Sequence, residues 1–220
     1  MTVLAFDAST LACSACVMKD DKILSARYLN TGLTHSQTLL PLIESVLKDA
    51  GVTIDGIDRI GVTVGPGSFT GIKIAVATAK GLAHKNKTPC AAVSSLYALA
   101  YGIAFDGTVC AVEDARRNML YNANFLEGIR QCDDRQISVS ELLEQTEGPL
   151  LFCGDGADLA LKEALNAGRT AAKADPQRAF IRAESVAVIA ATLPETELKS
   201  PETLEPCYLR LPQAERERME

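Results

Sequence analysis

Residues 65 to 71 read Gly-Pro-Gly-Ser-Phe-Thr-Gly, and the small and apolar residues that follow, Ile72 to Ala83, have the pattern of a helix. Glycines and hydroxyl residues just ahead of a helix suit a turn that holds phosphate, because backbone amides can approach an anion there with no Cβ in the way. Two acidic stretches could complete such a site: Asp7-Ala8-Ser9-Thr10 and Asp114-Ala115-Arg116-Arg117, each at the end of an apolar run. Asp7 would act as the metal-linked acid, Ser9 and Thr10 would hold a phosphate or water, and Gly65 and Gly67 would supply amides. Neither stretch has the glycine after aspartate that a phosphate hairpin needs. The alternative for Asp7 is a side-chain cap on its own turn. Arg116 and Arg117 fit a partner carboxylate, an RNA phosphate or a solvated hairpin tip.

The other candidates are weaker. Cys13 and Cys16 form a C-x-x-C, but on a strand residues three apart face opposite sides, so the two sulfurs diverge from any common metal. His35 and His84 are too few for a histidine-based site. The seven cysteines, an odd number, lie in apolar segments and read as reduced, buried thiols. A net charge of −6 gives no general attraction to a phosphate backbone, so any RNA contact is expected to be local or supplied by a partner. No apolar run approaches the roughly 18 residues that span a bilayer, and no basic leader precedes the first strand. The expected location is the cytoplasm, without membrane association.

These residues need elements to position them. Residues 2 to 29 read as three consecutive antiparallel strands. Thr34 and Gln37 fit a capping box that opens a helix ending near Gly51, with Pro41 expected to kink or weaken it. A strand before Gly65, a helix from about Gly71 to Lys85, a strand at Pro89 to Val93 and a helix at Ser95 to Ala104 complete a β-β-β-α-β-α-β-α order. That order is the one found in ribonuclease-H-like α/β domains. The pattern restarts after Gly107 in a degenerate form, with a helix expected to be capped by Asp158 and stopped at Gly168, and a last helix in "AESVAVIAATL". From Pro194 an extended tail is expected to pack through Tyr208 and Leu209 and then fray. The expected fold is therefore α/β, with two ribonuclease-H-like domains of the actin/Hsp70 (ASKHA) type, residues 1–105 and a smaller, degenerate 106–220.

Both longer helices carry more apolar surface than one packed face requires. The first has Leu39, Leu42, Ile43, Val46 and Ala50 in one stripe with Leu40 and Leu47 beside it; the second has Ile72, Ala75, Val76, Ala79, Leu82 and Ala83, with Ile74 and Ala77 elsewhere. The excess fits a protein interface, which is the expectation, or two helices sandwiched within one chain.

The stretches "GPGSFTGIKIAVATAKGLA", "FDAS", "HSQTLLPLI", "VEDARRNMLY" and "EPCYLR" occur in the order of, and resemble, the TsaB (YeaZ) family over nearly the whole chain. TsaB is a paralogue of TsaD, which transfers a threonylcarbamoyl group to an adenosine beside the anticodon of tRNA. TsaD-like enzymes carry H-x-E-G-H where this chain reads Ser95-Leu96-Tyr97-Ala98-Leu99, so the resemblance implies a bacterial, non-catalytic paralogue without metal or resident cofactor. It implies a heterodimer with TsaD through the two helices, TsaE joining the pair, a homodimer through the same helices when TsaD is missing, and tRNA contact only through the complex. Leu39, Leu42, Ile43, Val46, Ile72, Ala75, Val76 and Ala79 are the expected docking residues, so that Val76→Glu should break the heterodimer and leave the monomer folded. A nucleotide could sit at the partner interface, with Asp7, Ser9, Thr10, Gly65 and Gly67 as a vestigial site. The competing class is an ATP-binding enzyme of the actin-like superfamily, a weak ATPase or small-molecule kinase.

Overall fold

Strand β1 (Thr2–Asp7) is buried along its whole length. Its side chains alternate: Leu4 and Phe6 enter one apolar cluster, Val3 and Ala5 another. A strand buried on both faces needs a layer on each side of its sheet. In the computed structural model, which describes residues 1–209, β1 pairs antiparallel with β2 (Cys13–Lys19) and parallel with β4 (Arg59–Gly65). With β3 (Lys22–Leu29) and β5 (Cys90–Ser94) the order is β3-β2-β1-β4-β5. Helices α1 (His35–Ala50) and α2 (Phe69–His84) cover one face. The other is covered by α6 (Ala183–Thr192), which comes from far along the chain. Gly61 allows this approach, since a Cβ there would stand 2.7 Å from that of Ala190. Arg59, itself buried, ties the end of α6 to the sheet by donating to the carbonyls of Ala190 (2.5 Å) and Leu193 (2.8 Å) and to Glu195 (2.7 Å).

The second sheet repeats the plan in reduced form. Strands β6 (Thr108–Asp114) and β7 (Met119–Leu126) form a hairpin, and β10 (Leu150–Cys153) and β11 (Ala171–Lys173) extend it in parallel; β8 (Ile129–Arg130) and β9 (Arg135–Ser138) both pair with β7. Helices α4 (Val139–Glu144) and α5 (Ala157–Asn166) close its outer face. Helix α3 (Ser95–Ala100) lies between the sheets, in a core shared by Val3, Ala5 and Cys16 of the first and Val109, Ala111 and Phe125 of the second. The fold is the α/β ASKHA arrangement expected from the element order.

Several local expectations are revised. Thr34 is the N-cap residue of α1, but its side chain makes no capping bond; the cap contact is the backbone bond from Gln37 to the Thr34 carbonyl (2.9 Å). Pro41 sits inside an unbroken helix. Asp158 lies in the first turn of α5, where Gly156 is the N-cap, and pairs with Lys173. The capping box that does form is Ser138 with Glu141, at the head of α4. Division of the chain at residue 105 assigned Ala183–Thr192 to the second unit, whereas α6 packs on the first sheet. Tyr208 packs on Phe69, with ring centroids 4.8 Å apart; the fraying expected of the tail falls on residues 210–220, outside the described residues.

Candidate functional site

The ends of β1 and β6 meet at a cleft of about 500 Å³ between the two sheets, lined among others by Ser9, Thr10, His35, Gly67, Glu113 and Asp155. Asp7 lies fully buried just behind it. Its Oδ1 accepts from the Ser9 amide (3.0 Å), the Ser9 hydroxyl (2.6 Å) and the Thr63 hydroxyl (2.5 Å), so half of the carboxylate caps its own turn, the alternative raised by the sequence. Oδ2 has no partner. Burial raises the Asp7 pKa above the ordinary carboxylate value, against the pull of these hydrogen bonds. The opposing acid is Glu113, which is buried and has no hydrogen-bond partner for either oxygen. Burial first, and then the charges of Asp155, Asp7 and Asp134, push its pKa well above the usual range. Asp155 is raised by burial too, and accepts the Asp114 amide (2.9 Å). Asp114, expected to mirror Asp7, instead caps the hairpin tip by accepting the Arg116 amide (2.7 Å) and pairs with the Arg116 guanidinium (3.1 Å). Arg116, Arg117 and Asn118 all have positive φ, which gives that tip its tight left-handed bend.

The glycine turn packs against the chain itself. A Cβ at Gly65 would stand 2.5 Å from the Cys207 carbonyl oxygen, and one at Gly67 would stand 2.4 Å from that of Ser9. At Gly71 the Ala8 carbonyl would be 1.9 Å away. The Ser68 amide is already used, donating to Ser9 (2.6 Å), and the Ser68 side chain caps the Gly71 amide (3.3 Å). Thus Ser9, Thr10 and Gly67 of the expected set line the cleft with Asp7 behind them, while Gly65 packs on the Cys207 carbonyl; both glycines serve backbone-to-backbone approach, Gly67 against the Ser9 carbonyl. Ser95 and Leu99, in the places of the two histidines of H-x-E-G-H, are both buried, Ser95 donating to the Pro66 carbonyl. Cys13 and Cys16 point into different cores, as strand alternation requires, and burial lifts both thiols to about 12.

The helical faces are reversed relative to expectation. Leu39, Leu42, Ile43, Val46, Ile72, Ala75, Val76 and Ala79 are all buried, none more than 7% exposed, within the core that α1 and α2 make with their own sheet. Those side chains build the monomer. The outward faces are formed by other residues: Leu40 (46% exposed), Pro41 and Glu44 on α1, and Phe69, Lys73, Ala77 and Gly81 on α2, with Leu33 (58%) in the approach to α1. The two helices on which these residues are exposed touch each other. Exposed apolar residues of this size on neighbouring helices are unusual for a face that stays in water. Leu40 and Ala77, set beside and apart from the main stripes in the sequence, are the signal for these exposed positions, whereas Ile74 is half-buried against the core.

The family model described as "TsaD: tRNA N6-adenosine threonylcarbamoyltransferase" matches residues 30–214. The tRNA threonylcarbamoyladenosine biosynthesis protein TsaB of Bacillus subtilis is 32% identical over 167 residues, 72% of this chain and 73% of that protein. The protein of the same name from Escherichia coli is 30% identical over 71% of this chain and 72% of its own length. Among solved structures, YeaZ from Pseudomonas aeruginosa superposes with a TM-score of 0.79 at 27% identity, covering 94% of this chain and 99% of that one. Component A of the (R)-2-hydroxyglutaryl-CoA dehydratase of Acidaminococcus fermentans shares the fold alone, with a TM-score of 0.50 at 12% identity over 86% and 97% of the two chains. Among the described residues no helix is long and apolar enough to cross a membrane.

Proposed function

The chain belongs to the TsaB (YeaZ) family, and on that premise we propose that it is an accessory subunit in the formation of threonylcarbamoyladenosine in tRNA, docking TsaD through the outward faces of α1 and α2. The observation that carries this reading is the exposure of Leu33, Leu40, Pro41, Ala77 and Gly81 on and beside two touching helices whose inner stripes have filled the core. Small residues on α2 admit a second helix closely, and the flanking leucines supply apolar area. TsaE joins the pair through TsaD. When TsaD is missing the same surface brings two copies of this chain together. tRNA reaches the assembly through the composite surface and not through this acidic chain alone. The transfer chemistry belongs to TsaD, since the positions equivalent to its metal-binding histidines are core residues in this chain.

The experiment is a reconstituted modification mixture containing TsaD, TsaE, tRNA and the threonylcarbamoyl donor. Modification should require this chain, and the chain without TsaD should give none. A second reading, an ATP-using enzyme, draws on the cleft between the sheets. It predicts ATP hydrolysis by the isolated chain with magnesium that Asp7→Ala removes. The crowding of Gly67 by Ser9 and the acidic lining of the cleft favour the accessory role.

A further inference from the structure

The cleft holds an electrostatic arrangement that docking does not use. Glu113 lines it, is 3% exposed, and neither of its oxygens has a hydrogen-bond partner. The Thr10 hydroxyl and His35 Nδ1, on the facing wall, are likewise buried without partners. His35 Nε2 lies 2.7 Å from the Thr10 carbonyl, an atom that can only accept, so Nε2 is the donor of that bond. Buried polar atoms in native folds are nearly always satisfied, so a group of them facing one cavity marks a place for something else. All of the unpartnered atoms can accept a hydrogen bond, and two belong to an acid.

The charges around the cleft select the sign of the occupant. Glu113, Asp114 and Asp155 line it and Asp7 stands behind it, against Arg116, whose guanidinium is taken by Asp114, and His35. An anion entering here meets carboxylates of its own sign. Among the described residues no three His, Cys, Asp or Glu side chains gather as metal ligands, and a bare ion leaves most of a 500 Å³ cavity unfilled. That volume is in the range of small-molecule sites. Its mouth carries Leu11 (66% exposed) and Leu33 (58%), which offer an apolar wall.

We propose that the cleft is a binding site for a small organic cation, with an ammonium, guanidinium or amidinium head donating to Glu113 and the Thr10 hydroxyl and an apolar body lying against Leu11 and Leu33. The site shares Leu33 with the docking surface, but its contacts at Glu113, Thr10 and Leu11 are independent of that reading. Burial favours the protonated form of Glu113, and the head takes the place of that proton, supplying N–H donors and a positive charge to the carboxylate; charge-assisted bonds of this kind are the strong ones.

The test uses the full chain, calorimetric titration and thermal shift, with benzamidine and agmatine as cationic probes. Benzoate, the anionic isostere of benzamidine, and magnesium ion alone serve as comparisons. Saturable binding of either cation with a raised Tm, and none of benzoate, is expected. Glu113→Gln, which keeps the side chain's shape, should weaken the cation at least about tenfold, the effect of losing one charged hydrogen bond. Thr10→Val leaves the carboxylate in place, should cost a few-fold, and reports on the site if the Glu113 variant folds poorly. Equal binding of benzamidine and benzoate, absence of cation binding, affinities unchanged in both variants, or Glu113-dependent binding of magnesium without the organic cations would each overturn the proposal.

Discussion

Val76 and Ala77 are neighbours in the sequence with opposite fates, and a single glutamate moved by one position separates core from docking surface. Val76 is 3% exposed and packs in the cluster that α2 makes with β1 and β4. Ala77 is exposed. At position 76 a carboxylate would have no buried donor, and an uncompensated buried charge costs about 3–5 kcal/mol. For a chain of this size each kcal/mol lowers Tm by roughly 2–4 °C, so Val76→Glu should melt about 6–20 °C below the parent. Ala77→Glu places the same group in water, where surface changes stay within about 0.5 kcal/mol. In a complex with TsaD the order reverses: Ala77→Glu buries the unpaired charge at the interface, and the same 3–5 kcal/mol becomes a loss of about two to four powers of ten in Kd. The assay is paired: thermal melting of each variant alone, and titration of TsaD with each. An Ala77→Glu variant that binds TsaD with unchanged affinity refutes the docking face. A Val76→Glu variant with the parental Tm refutes the inner assignment.

Three other substitutions follow from the same geometry. Gly71→Ala drives a Cβ to 1.9 Å from the Ala8 carbonyl oxygen, so the turn must shift; a loss of about 3 kcal/mol or more is expected, read as a drop in denaturation midpoint. Gly81→Ala meets nothing within 4 Å and should raise the stability of the isolated chain by about 0.5–1 kcal/mol in thermal melts, while weakening association with TsaD because the added methyl holds the partner helix off. Glu113→Gln tests the buried acid through pH. Its folded pKa is raised by burial above the value of 4.5 that holds in the unfolded chain, so above that pH the unfolded state releases a proton that the folded state retains, and parental stability falls as pH rises through this window. The glutamine variant should match the parent near pH 4 and melt higher at pH 7, with part of the slope left by Asp7 and Asp155, which are raised in the same direction. Melts that are parallel at all pH values contradict this.

The first sheet and its helices were legible because each strand and each long helix carries its own period. Leu4 and Phe6 against Val3 and Ala5 state that β1 is covered twice, and the stripes of α1 and α2 state that each helix buries one face. What those stripes do not state is which apolar residues are in excess. The most regular set, Leu39, Leu42, Ile43 and Val46 with Ile72, Ala75, Val76 and Ala79, is regular because it must fit the chain's own sheet. Residues left exposed are the ones off that register, Leu40 and Ala77, and a hydrophobic count alone does not separate them from the buried set. The Thr34 capping box failed for a local reason: the Thr34 hydroxyl lies 3.3 Å from that of Ser36, and the Gln37 amide donates to the Thr34 carbonyl instead.

The acidic pair follows from the same alternation, carried one step further across the internal repeat. In β1 the residues turned toward the shared core are Val3 and Ala5, so Asp7 continues that line. In β6 they are Val109 and Ala111, which makes Glu113 the next residue in line, while Cys110 and Val112 face the outer cluster and Asp114 continues theirs. Matching the two stretches by residue type pairs aspartate with aspartate and points to Asp114, a hairpin cap at the surface. Matching them by strand parity pairs Asp7 with Glu113, two buried acids, one lying behind the cleft and the other lining it. Parity is the stronger guide because the sheet fixes direction before it fixes chemistry: Asp114, one place off, stands at the edge of the cleft with its carboxylate spent on the Arg116 amide and guanidinium, while Glu113 is buried.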